Sequence, residues 1–144
     1  MKITLLAVLS LFITPASLAS GPIAPTGWSG SFEPMLPNGE ACCLPADLNG
    51  AKMVGGAFVL ISTNGKEVGL FALTYSGEDP EPKENWQLLE HHPISVLAKY
   101  RVSLEPAGRY PFGAIIACTE LSQCAWYAAV SSSAKLSRVK QSGR

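Results

Sequence analysis

The chain predicts a mainly β fold: a single-domain antiparallel meander with little helix, arranged as a twisted sheet, a sandwich or a partly closed barrel. Three observations carry that reading. Short apolar runs recur at close spacing, separated by Gly, Pro and Asn. Asn64-Gly65 stands between two such runs, Ala57 to Ile61 and Glu67 to Tyr75, which is the strongest short-range hairpin signal. Only 15% of the residues are charged while 47% are hydrophobic, a composition that builds a core and argues against disorder.

The order of elements begins with a leader. Lys2 precedes the apolar run Ile3 to Ile13, Pro15 ends it, and Ser17 and Ala19 stand at minus three and minus one of a cut before Ser20. That charged, apolar and small-residue order predicts a secretory signal peptide over residues 1–19. A run of about eleven residues is too short to cross roughly 30 Å of hydrocarbon as a helix, so the mature chain is expected to make no stable membrane insertion. Residues 20–30 read as an extended, Pro/Gly-rich lead-in, 31–140 as one β-rich domain, and 141–144 as a tail.

Within the domain, Ser31 to Leu36 reads as a short strand, Pro37-Asn38-Gly39 as a turn and Pro45 to Gly50 as a loop. The strand Glu67 to Tyr75 is apolar at both parities, which predicts cover on both faces. Ser76 to Asn85 (SGEDPEPKEN) reads as an exposed loop, and Trp86 to His91 fits either a strand or a helical turn. Ile94 to Leu104 alternates and predicts one half-buried strand with Leu97 on its wet face. Gly113 to Cys118 and Cys124 to Val130 form a second apolar hairpin, and Lys135 to Lys140 an edge strand blunted by lysine.

All four cysteines, Cys42, Cys43, Cys118 and Cys124, follow the leader, and an even count in an exported chain suggests two disulfides. Three connectivities are open. Strand neighbours point to opposite faces, which disfavours Cys42–Cys43, while Cys118–Cys124 could clip a hairpin. The favoured pairing is Cys43–Cys118 with Cys42–Cys124, whose long loops are each worth up to about 4–5 kcal/mol in the chain-entropy model. CC with C-x5-C fits zinc-ligand spacing poorly.

Charge excludes some partners. Eleven Lys plus Arg face eleven Asp plus Glu, and loss of Lys2 with the leader leaves ten against eleven. This balance gives no electrostatic reason to expect nucleic acid or an anionic membrane. His91-His92-Pro93 holds both histidines, and adjacent histidines rarely reach one metal, so no metal or other cofactor is expected. A Ser–His–Asp triad using His91 or His92 has no nucleophile elbow behind it, and no catalytic residue is assigned. Asp47 and Asn49 are expected to cap a turn. Trp28, Trp86, Trp126, Tyr110 and Tyr127 are more often core residues than a recognition surface, with the Pro/Gly-flanked Tyr110-Pro111-Phe112 loop the exception expected to be exposed.

Cys43, the run Pro45-Ala46-Asp47-Leu48-Asn49-Gly50 ahead of Phe58 to Ile61, and Val102 to Tyr110 together resemble small exported proteobacterial proteins of unknown function with an FG-GAP-like PADLNG loop. The resemblance implies a calcium-type loop before a β-hairpin, yet Ala51 and Lys52 stand where acidic ligands belong. It carries no activity with it.

The expectation is therefore a periplasmic or secreted non-catalytic binding protein, of the inhibitor or immunity type, meeting a protein or cell-envelope partner through loops. Glu78, Asp79 and Glu81 in one loop, and Arg109, Tyr110 and Phe112 in another, are the expected contacts. A small envelope hydrolase using His91 or His92 is the competing class.

Overall fold

The computed structural model describes residues 23–28, 36–51, 54–76, 83–129 and 135–140. The leader, the expected strand at Ser31 to Leu36 apart from Leu36 itself, and the acidic loop with Glu78, Asp79 and Glu81 lie outside them.

Among the described residues, eight strands form two four-stranded antiparallel meanders that do not close into a barrel. The first sheet contains β1 (Cys43–Ala46), β2 (Gly55–Ile61), β3 (Glu67–Ser76) and β4 (Lys83–Pro93) in that order. The second contains β5 (Arg101–Glu105), β6 (Ala114–Glu120), β7 (Gln123–Ala128) and β8 (Ser137–Val139), again in order. Each sheet presents one face to a shared core, in which Val59, Val68, Leu70 and Ala72 of the first meet Ile115, Ala117 and Tyr127 of the second.

Local chemistry accounts for much of this. The β2–β3 turn at Asn64-Gly65 uses Gly65 at φ +75°, a conformation that glycine adopts without a Cβ penalty. Asn64 Oδ1 accepts from the Lys66 N–H (2.9 Å) and from the Ser62 hydroxyl (2.8 Å). β3 is buried at both parities because its second face carries Phe71, onto which Trp28 packs edge-on at 5.1 Å. Trp28 also bridges Ser62, so the lead-in is tied to the first sheet. In the PADLNG segment Asp47 Oδ1 accepts the Gly50 N–H at 2.6 Å and the Asn49 N–H at 3.3 Å, the turn-capping role expected of it.

Several elements differ from the sequence reading. Pro45 and Ala46 belong to β1, and Lys83 to Asn85 to β4, so both intervening loops are shorter than expected. Trp86 to His91 is strand, its register set by β3. Ile94 to Leu104 is not one strand: Ile94–Lys99 is a 3₁₀ helix and only Arg101–Glu105 is extended. Leu97, which alternation puts in water, is buried. The Asn38 amide donates to the Leu97 carbonyl at 2.7 Å and the Tyr100 carbonyl at 3.2 Å, satisfying the helix end from 59 and 62 residues away.

The disulfide pairing is corrected as well. The bonds are Cys42–Cys43 and Cys118–Cys124, not the two long-range bridges. Cys42 sits in a bend ahead of β1, so the opposite-face argument against adjacent cysteines does not apply to it. Cys118 and Cys124 are cross-strand partners in the β6–β7 hairpin, with Cα atoms 4.0 Å apart, and pair with each other. Unreduced tryptic digestion should therefore yield two separately intralinked peptides, one ending at Lys52 and one spanning residues 110–135. A single cross-linked species joining them, seen by mass spectrometry, would contradict this pairing.

Candidate functional site

Two features stand out by their chemistry. The first lies between the sheets. In the β3–β4 register Glu90 faces Leu70 and His92 faces Val68, which places both side chains on the core side of β4. Glu90 Oε1 accepts the Tyr127 hydroxyl at 2.6 Å, and Oε2 accepts the Tyr100 hydroxyl at 2.6 Å. His92 Nε2 lies 2.8 Å from the same Oε2. One carboxylate thus joins β4 of the first sheet, β7 of the second and the residue after the 3₁₀ helix.

Burial pushes the Glu90 carboxyl up. The hydrogen bonds from Tyr100, Tyr127 and His92, with the His92 charge, outweigh that and hold it below the usual glutamate range. Tyr100 and Tyr127 are pushed well above the tyrosine range, by burial first and then by the Glu90 hydrogen bond and charge. Both hydroxyls therefore remain donors at neutral pH. Three residues earlier on β4, the Gln87 amide clamps the Leu136 backbone, donating to its carbonyl and accepting its N–H, both at 2.8 Å. These groups latch the two sheets. The carboxylate takes three contacts from its neighbours, and both hydroxyls direct their protons at it.

His91, on the opposite face of β4, meets Glu67 at 2.9 Å with both side chains about half exposed. A surface pair of this kind contributes little. The two histidines thus face different environments and do not act together.

The second feature is the tip of the β6–β7 hairpin. Glu120 pairs with Gln123, leaving Leu121-Ser122 as a two-residue turn. The Cys118–Cys124 bond crosses the strands just below it. Leu121 is 103% exposed, the most exposed large apolar residue described. Beside the tip opens a groove of about 540 Å³ bordered by Lys99, Arg101, Cys118, Glu120, Leu121 and Ser122. Sequence reading missed Leu121; the signal was an apolar residue in the centre of the polar Thr-Glu-Leu-Ser-Gln segment enclosed by two cysteines.

The expected contact residues are placed differently from one another. The Arg109 guanidinium lies 5.8 Å over the Trp126 ring, on the outer face of the second sheet. Tyr110 packs on the same outer cluster and donates its hydroxyl to the Lys140 carbonyl at 2.9 Å. Phe112 packs against the main core, its ring closing on Gly50. The loop carrying all three folds back onto the body, with Arg109 the exposed member. Trp126 is buried within that outer cluster, and Tyr127 in the core between the sheets.

The chain is thus a disulfide-bonded, two-sheet antiparallel β protein with an inter-sheet carboxylate latch and a cross-linked protruding hairpin. Its two disulfides suit an oxidising compartment, and no described helix is long and apolar enough to cross a membrane. No family model, curated protein or solved structure matches the chain.

Proposed function

We propose that this chain is exported to the periplasm or beyond and acts there as a non-catalytic binding protein of the inhibitor or immunity type, with the β6–β7 tip as its anchor. The observation that carries the reading is Leu121. A wholly exposed leucine on a turn cross-linked one residue pair below has little conformational freedom to lose on insertion into an apolar pocket of a folded partner. The leader-like first nineteen residues and the disulfides support the compartment.

The test passes envelope extract over immobilised mature protein and its Leu121→Asp variant. The wild type should retain one partner stoichiometrically. Leu121→Asp should bind it roughly thirtyfold or more weakly, as loss of a central anchor does, while remaining as stable as the wild type. His91→Ala and His92→Ala should bind unchanged. Equal retention by Leu121→Asp would remove the tip from the interface, and hydrolytic turnover lost in His92→Ala would replace binding with catalysis.

A further inference from the structure

The two disulfides differ in what an incoming thiol would meet. Cys42 lies in the core at 2% exposure and Cys43 is half-buried against it. Cys124 is exposed, and the groove beside the hairpin tip reaches Cys118. A thiolate attacks one sulfur along the S–S axis, and here that axis runs across the strands from β6 to β7. On the Cys118 side lies β5, whose Arg101 is the register partner of Cys118. On the Cys124 side, β8 pairs only with Trp126, Tyr127 and Ala128, so among the described residues no strand flanks Cys124. The groove also opens on the Cys118 side, so exposure decides between the two sulfurs: Cys124 is exposed and Cys118 half-buried, which makes Cys124 Sγ the attacked sulfur and Cys118 the leaving one.

We propose that Cys118–Cys124 is a thiol–disulfide exchange site, opened by a dithiol that attacks Cys124 Sγ. One thiolate of the dithiol bonds to Cys124 Sγ as the S–S bond breaks, and Cys118 departs as a thiolate that takes up a proton. The second thiolate of the dithiol then attacks its own partner sulfur in the mixed disulfide and releases Cys124. The dithiol ends as a disulfide and the protein as two thiols, a balanced two-electron transfer. The departing Cys118 thiolate shares its groove with the Lys99 ammonium, which favours the anion. Arg101 contributes less, because Glu40 holds its Nε at 3.4 Å, and Glu120 opposes both. Access is therefore the larger factor and charge the smaller.

The exchange chemistry stands on exposure and register alone, whereas its consequence rests on the function proposed above: with the clip open, the Leu121 tip loses its fixed geometry. Folded protein is treated with dithiothreitol, quenched with iodoacetamide and digested with trypsin. The 110–135 peptide should carry alkylation roughly tenfold or more faster than the peptide ending at Lys52, given the difference in access, while circular dichroism stays native. Acid-quenched treatment with glutathione should place the adduct on Cys124. Both pairs opening together, at the rate of unfolding, would overturn the proposal, as would an adduct on Cys118. Selective reduction that leaves partner binding untouched would uphold the exchange site and remove the tip from the interface.

Discussion

Glu90→Ala is expected to destabilise the fold by roughly 3–4 kcal/mol, because it orphans two buried hydroxyls at once and each unsatisfied buried polar group costs about 1–3 kcal/mol. Tyr100 and Tyr127 are 2% and 5% exposed, and the cavity that borders Glu90 and Tyr127 admits water to part of the gap, which keeps the expected loss below the full cost of two orphaned groups. Chemical denaturation is the direct measurement. In a double-mutant cycle, Tyr127→Phe should cost less in the Glu90→Ala background than in the wild type, since the hydroxyl then has no carboxylate to lose. Additive losses would mean that the pair does not couple the sheets.

The same latch sets a pH dependence. The folded Glu90 carboxyl titrates below its unfolded value of about 4.3, so its contribution is complete above that value and lost as pH falls through the folded pKa. At the alkaline end, Tyr100 and Tyr127 are held above the usual value of about 10, so the folded chain keeps protons that the unfolded chain releases. Stability then declines as pH rises past about 10. Glu90→Ala should flatten the acid slope. An acid limb identical in wild type and variant would place the titrating group elsewhere.

Gly55→Ala is the second large effect, with an expected loss of about 3 kcal/mol. Gly55 opens β2, and a Cβ there would meet the Leu73 carbonyl of β3 directly. The obstacle is backbone held in the β2–β3 ladder, so relief means separating the two strands at this end. The melting temperature should fall by roughly 10–20 °C for a domain of this size. Gly108→Ala is the control: it has open space around its Cβ position and should be near neutral. A Gly55→Ala melting point close to that of Gly108→Ala would show that the strand end yields easily.

What was legible in the sequence was whatever a few adjacent residues decide. Asn64-Gly65 carries its own backbone preference, and the hairpin formed there. β3 is apolar at both parities and is buried on both faces, because no register places such a strand against water. Asp47 capped its own turn through contacts two and three residues away. The two-disulfide content followed from cysteine count, and the mainly β class from the spacing of runs and turns.

Tertiary structure decided the rest, because the deciding partners are distant in sequence. Ile94 to Leu104 alternates, but Ile94, Leu97 and Tyr100 also recur every three residues, which suits the 3₁₀ turn, and Asn38 satisfies its carbonyls from about sixty residues away. Cysteine connectivity followed from the bend at Cys42 and from the β6–β7 register, neither of which is visible in spacing. Glu90 reads as one more charge beside two histidines until β7 brings Tyr127 from 37 residues away. Leu121 reads as one more apolar residue until the hairpin leaves it with nothing to pack against. Local chemistry set the strands and turns; the face each side chain received, and so the latch and the protruding tip, came from how the sheets met.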